Sequence, residues 1–263
     1  MYKRQNPLSA DKDDSIQFSA FAKVNSSKCE PVVMDEQFNS AVTDIFRNEY
    51  LSPRSPYTTL QIPKQGIGEW CHPLHTVDID DSGLRSSVQK GVLNTKLGVP
   101  FRTPAEGQNI AFTSLWDNYP DSLTVSLKGK ASRAYLLMAG STNHMQCHID
   151  NGLIRVYYKD GTCDKVALRN PDNWAPIEHI FFEDGLAFNR HVPALYRLRL
   201  KTGEISNNFG EELGFPGASR ELDGGAAILL EMPLNPDKKL SHLVLETLSN
   251  DVVIGLMGIT LQR

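Results

Sequence analysis

Two adjacent patterns between Asn109 and Asp150 constrain the chain more than anything else in it. Ser122–Leu127 alternates, with Leu123, Val125 and Leu127 on one side and Ser122, Thr124 and Ser126 on the other. Successive strand side chains point to opposite faces, so this is the mark of an antiparallel strand with one face buried. Ala134–Ala139 is apolar at every position, as in a strand covered on both faces. Ile110–Leu115 is a third strand-like run ahead of them. A two-residue period has no use in a helix, so this region is β-structure.

The polar connections between these runs carry the candidate ligand site. Trp116-Asp117-Asn118-Tyr119-Pro120-Asp121 precedes the alternating strand, and Ser141-Thr142-Asn143-His144-Met145-Gln146 follows the apolar one. If the two strands form a simple hairpin, both connections emerge at the same end, and function concentrates on such loops. Asp117 and Asn118 from one loop and Asn143, His144 and Gln146 from the other would supply directional hydrogen bonds. Trp116 or Tyr119 would supply a flat apolar face, with Trp174 as a second face from a later loop. Sugars present this same mixture of C–H faces and hydroxyls. The competing reading is that the tryptophans are buried anchors, as most large aromatics are.

Elsewhere the pattern is simpler. Glu36–Tyr50 places Phe38, Val42, Ile45, Phe46 and Glu49 on one stripe at spacings of three and four, which predicts a short helix. Ile16–Val24 reads as a strand. Residues 51–75 hold Pro53, Pro56, Pro63 and Pro73, which bar them from the middle of a sheet. Their apolar content predicts a segment laid over the main domain. Tyr157–Thr162 is a hairpin signal. A three-residue loop, Lys159-Asp160-Gly161 with Gly161 left-handed, would put Ile154, Val156, Tyr158, Val166 and Leu168 on the buried face and Arg155 and Lys165 outside. Leu195–Leu200, Ala226–Met232, Leu240–Leu248 and Val252–Leu261 are further strands. About nine strands after residue 76 predict a mostly β fold: a jelly-roll or galactose-binding-like two-sheet sandwich over 76–263, with residues 1–75 as an extension packed on it.

A net charge of −4 over 263 residues argues against nucleic-acid and membrane partners, which need clustered Lys and Arg. No apolar run approaches the roughly 20 residues of a membrane helix. Lys3 and Arg4 are followed by no apolar core, so no signal peptide is expected. The chain is then cytoplasmic as it stands, or periplasmic or extracellular as a piece of an exported protein. Phosphate-binding, dinucleotide, nucleophile-elbow and zinc-protease motifs are absent. Cys71 with His72 and His75, and His144 with Cys147 and His148, lack the paired spacing of a zinc module, so no metal or cofactor is expected. Asp78–Gly83 resembles the start of a calcium loop, but Gln89 stands where a bidentate Glu is required. Asp117 with Asp121 and Glu183 with Asp184 are carboxylate pairs, better read as turn caps than as catalytic groups.

Several phrases carry a resemblance. FTSLWDNYPDSLTVSLKGKASRAYLLMAGSTNHMQ, NGLIRVYYKDGT, LRNPDNWAPIE and LSNDVVIGLMGITLQ are similar to the C-terminal part of a family of large gut-bacterial proteins associated with polysaccharide utilisation. SPRSPYTTLQIPKQGIGEWCHP and GVPFRTPAEGQNIAFTSLWDN look like the same family. More remotely, the chain resembles galactose-binding-like carbohydrate-binding modules, with RAYLLMAGST in a core strand. The family offers no catalytic residues to carry over, and the large region that precedes this part is missing here. The resemblance implies a non-catalytic carbohydrate-binding or accessory module, with a glycan and a glycoside hydrolase as partners. The alternatives are a glycoside hydrolase with unidentified paired carboxylates and a structural module packed on a partner domain.

Overall fold

The computed structural model describes residues 24, 26–47, 77–142, 146–180, 189–190, 192–215, 220–250 and 252–263. In chain order its strands are β1 (Cys29–Pro31), β2 (Val88–Gln89), β3 (Val92–Asn94), β4 (Pro100–Arg102), β5 (Ala111–Ser114), β6 (Ser122–Ser126), β7 (Arg133–Thr142), β8 (Asp150–Tyr158), β9 (Cys163–Arg169), β10 (Tyr196–Arg199), β11 (Ile205–Ser206), β12 (Ala226–Pro233), β13 (Leu240–Thr247) and β14 (Val252–Gln262). Two short helices, α1 (Ser82–Ser86) and α2 (Phe209–Glu212), lie among them. Every pairing between these strands is antiparallel.

The strands make a β-sandwich. The larger sheet runs β1-β14-β7-β12-β10-β11, with β5 also on β14; the smaller runs β6-β13-β8-β9. A third sheet, β2-β3-β4, completes the β-structure. The alternating sequence of β6 fits this arrangement. Val125 and Leu127 are buried, while Ser122, Thr124 and Ser126 face water.

The all-apolar strands of the larger sheet are buried on both faces. On β7, Ala134, Leu136 and Met138 join Ile154, Val156, Leu243 and Leu245 of the smaller sheet in the inner core. Tyr135, Leu137 and Ala139 join an outer core with Leu93 and Phe101 of the third sheet, Leu84 of α1, and Val42 and Ile45. Each fully buried aliphatic side chain contributes about 1.5–3 kcal/mol, so β7, β12 and β14 are the centre of stability. A register shift between Leu256 and Gly258 changes which side of β14 faces inward. Ile254 and Leu256 point to the inner core before it, and Ile259 and Leu261 after it. An extra residue in one strand produces that switch, and a uniformly apolar sequence gives no sign of it.

The β8–β9 hairpin has the register its sequence dictates. Tyr158 N donates to Thr162 O at 2.8 Å and Gly161 N to Tyr158 O at 3.1 Å, closing a loop of Lys159, Asp160 and Gly161. Gly161 has φ of 85°, the left-handed region that glycine occupies without a Cβ clash. Ile154 opposes Val166 and Arg155 opposes Lys165, with Val156 and Val166 both buried.

Two expectations are corrected. The helix anticipated over 36–50 is absent from its described part. Two single-turn 3-10 helices, Asp35–Gln37 and Val42–Asp44, take its place. Asn39 and Ser40 account for the difference. The Asn39 side chain donates to Phe112 O and accepts from Phe112 N, both at 2.9 Å, and Asn39 N donates to Ile110 O at 3.0 Å. Side-chain amides that bond backbone in this way compete with helix. The stripe is still apolar inward, with Phe38, Val42 and Ile45 buried. Second, β6 and β7 are not a hairpin. β6 pairs with β13 in the smaller sheet and β7 with β12 and β14 in the larger, so residues 127–132 cross between sheets. The anticipated strand Ile16–Val24 and the wrapping segment 51–75 lie outside the described residues, apart from Val24.

Candidate functional site

The end of the sandwich where β14 begins collects loops from both sheets. Ser114 of β5 and Ser141 of β7 both oppose Val253, one on each side of β14. The loops that follow them therefore leave the same edge one strand apart, roughly 10 Å from each other. From the smaller sheet, Thr247 at the end of β13 donates its N–H to Asp121 O at 2.9 Å. Its hydroxyl lies 2.7 Å from that of Thr113. The crossover of 127–132 reverses the chain as a hairpin would, so residues 115–121 and 146–149 share an end even though β6 and β7 do not pair.

Buried polar side chains fix these loops. Ser114 Oγ donates to Asn118 Oδ1 at 3.0 Å and accepts from Trp116 N at 3.2 Å. Ser114 N donates to Pro120 O at 3.0 Å, closing the loop on itself. Asn151, fully buried, is the hub of the other side. It accepts from Thr142 Oγ1 at 2.9 Å, and its Nδ2 donates to Gln146 O at 2.9 Å and Ile149 O at 3.1 Å. Its carbonyl accepts from Leu248 N at 2.9 Å. His148 N donates to Asn170 O at 2.7 Å, drawing in the loop after β9. Buried polar groups satisfied in this way hold loops in one arrangement.

The anticipated residues divide. Asp117 is exposed, Asn118 and Gln146 are half-buried, and all three stand on loops of this end. Trp116 and Tyr119 are half-buried against the outer core. The Tyr119 ring is tilted on Phe112 with centroids 5.1 Å apart, so much of its apolar area is already used in packing. Trp174 is corrected: it is 0% exposed within the inner core and offers no face to a ligand. Its ring lies against Gly140, where a Cβ would fall 2.7 Å from Trp174 Cη2 and 2.1 Å from Val253 O. That close approach needs glycine. Asn143 and His144 lie outside the described residues.

No family model, no curated protein and no solved structure matches this chain. What the end can do is therefore read from its own side chains. Among the described residues, three of the four exposed large hydrophobic side chains are here: Leu115 at 41%, Ile149 at 47% and Leu248 at 39%. Asp121 and Asp150 are exposed beside them, with Asp150 bound to Arg169 at 2.6 Å. The surface is thus a set of apolar side chains rimmed by carboxylates.

Sequence reasoning missed Asn151 and the three aliphatic residues. Asn151 had a signal, since Asn is a poor strand former inside a β run. Leu115, Ile149 and Leu248 had none, because each ends a run that reads as buried strand. Among the described residues, no three His, Cys, Asp or Glu side chains come together to hold a metal ion. Asp81, from the calcium-like stretch, is buried and accepts from Arg85 Nε and Asn109 Nδ2, each at 2.8 Å. Beside the end, buried Arg197 donates to the carbonyls of Pro176, Ile177, His179 and Ala226. Burial pulls its guanidinium down to about 10, with the Glu178 carboxylate opposing that shift.

Proposed function

We propose that the chain is a non-catalytic carbohydrate-binding or accessory module of a glycan-degrading system, with its ligand surface on the loop end. One observation carries the reading. Loops from both sheets converge at this end on buried Ser114 and Asn151, which leaves exposed Leu115, Ile149 and Leu248 beside Asp117 and Asp121. Aliphatic side chains next to carboxylates and amides match the C–H faces and hydroxyls of a sugar. The resemblance to gut-bacterial polysaccharide-utilisation proteins supports the same class. Titration calorimetry of the wild type with plant and host oligosaccharides tests it. The expected affinity is millimolar to micromolar, about 4–8 kcal/mol. Asp117→Ala should weaken it by about tenfold at unchanged thermal stability, since a lost hydrogen bond to a charged group is worth about 1–2 kcal/mol. Loss of Trp116 should remove most of it. Failure of every oligosaccharide to bind would reject the reading.

A second reading has its own observation. Three aliphatic side chains exposed together suit packing against a partner domain better than sugar stacking, which favours aromatic rings. In that case no oligosaccharide binds, and fluorescence of a hydrophobic dye falls in a Leu115→Ser/Ile149→Ser/Leu248→Ser variant.

A further inference from the structure

The opposite end of the sandwich has a different chemistry. There the connections 127–132, 159–162 and 234–239 meet the start of β1 and the end of β14. Lys159 N donates to Lys239 O at 2.8 Å, and Leu240 N to Gly129 O at 2.8 Å. Arg263 N donates to Lys28 O at 2.9 Å, and Arg263 Nη1 to the carbonyls of Lys128 at 2.6 Å and Lys130 at 3.0 Å. These bonds set Lys28, Lys130, Lys128, Lys239 and Lys159 in a row across the ends of both sheets. With strands about 4.8 Å apart and sheets about 10 Å apart, the row is on the order of 20–30 Å long.

All five lysines are exposed, and none forms an ion pair among the described residues. The carboxylates close to them are mostly committed. Glu30 accepts from Arg263 Nε at 2.8 Å, Asp160 lies 3.0 Å from Lys238 Nζ, and Asp164 accepts from the Tyr158 hydroxyl. Among the described residues near the row, Asp237, exposed, and Asp164, half-buried, have no cation of their own. A chain of net charge −4 thus carries a local excess of positive charge on a backbone held rigidly from both sheets. Isolated surface lysines are ordinary, but uncompensated like charges in a row repel one another and favour a polyanion.

We propose that this end binds an acidic polysaccharide, a chain bearing uronate or sulfate groups, laid along the lysine row. The choice of a glycan over other polyanions rests on the function proposed above. The side chains also favour it. Single-stranded nucleic acid binds where aromatic rings stack its bases, and the residues of this row and its connecting loops include no exposed aromatic ring. Membrane anchoring needs an apolar face beside the basic one; among the described residues Leu115, Ile149 and Leu248 are at the other end, and Val33, after β1, is a single exposed aliphatic side chain and not a face.

The test is affinity electrophoresis of the full chain in polygalacturonate, heparin and neutral dextran at low and high salt, with duplex DNA and phosphatidylserine vesicles as competitors. Wild type should be retarded by at least one of the two acidic polysaccharides and not by dextran, and retardation should fall steeply with salt. Lys128→Ala/Lys130→Ala/Lys239→Ala should weaken binding by at least about tenfold, since each basic group near a polyanion counts for roughly a fivefold change in affinity. Lys90→Ala, in the β2–β3 turn at the far end of the third sheet, should leave it unchanged. The proposal fails if neither acidic polysaccharide binds at low salt, if the triple variant binds like wild type, or if DNA or vesicles compete as the tighter ligand. Trp116→Ala, run in parallel, separates the two proposals. Polyanion binding without any neutral-oligosaccharide binding sustains this inference and rejects the loop-end site; the reverse result rejects this one alone.

Discussion

Trp174 shows how one residue changes role between sequence and fold. It sits in Asn170–Pro176, among Asn, Asp and Pro, where a tryptophan reads as an exposed loop ring. In the structure Asn173 Oδ1 accepts from Arg169 N at 2.7 Å, and Trp174 N donates to Arg169 O at 3.2 Å, turning the ring under the loop. The polar neighbours are the means of burial. Trp174→Ala should therefore destabilise the protein by about 3–5 kcal/mol, measured by urea denaturation. Asp117→Ala, exposed on the neighbouring loop, should stay within about 0.5 kcal/mol. Equal effects would mean that Trp174 is not the anchor its burial indicates.

At the scale of elements, the β8–β9 hairpin is the part whose geometry follows most directly from local chemistry. Asp160 Oδ1 accepts from Thr162 N at 3.0 Å and from Thr162 Oγ1 at 2.6 Å. These bonds, with Lys238 beside them, hold its carboxyl down at about 2. Gly161 has φ of 85° with open space around it, so a substitution there meets backbone strain and no clash. Gly161→Ala should cost about 1 kcal/mol in denaturant unfolding, with native dispersion of amide resonances retained. A neutral or stabilising result would contradict the left-handed turn. The 36–50 segment behaves differently: its apolar spacing suits a helix, but Asn39 and Ser40 pair with β5 and its lead-in, and pairing prevails because it satisfies backbone groups at the edge of a sheet.

For the whole molecule, the alkaline limit of stability is set in the sheets. Burial, then the Glu231 carboxylate, pushes the Tyr135 hydroxyl up to about 12 from an ordinary value of 10.0. Burial, then its hydrogen bond to Asp164, raises Tyr158 as well. A raised folded value means that the folded state holds its proton longer than the unfolded chain does. The stability this contributes is intact below pH 10 and is lost as pH rises through 10 towards 12. For Tyr135 the loss is on the order of 2–3 kcal/mol across that window. Thermal melts should be flat from neutral pH to about 10 and fall above it, and Tyr135→Phe should flatten part of that fall. An unchanged alkaline slope in the variant would assign the fall elsewhere.

By itself the sequence determined the β class, the core strands after residue 76 and the β8–β9 register. Alternation, turn residues and apolar runs are local, and each acts within a few residues of its own position. The sandwich follows from them, because two-faced apolar strands such as β7 need layers on both sides. Tertiary structure alone decided which strands pair across the two sheets, the inversion at the β14 bulge, and the burial of Trp174 behind Gly140. It also decided that Leu115, Ile149 and Leu248 share one end while Lys28, Lys128, Lys130, Lys159 and Lys239 share the other. Those groupings join residues far apart in the chain, and their energies arise only once the sheets have closed. A net charge summed along the sequence cannot show a charge separated in space.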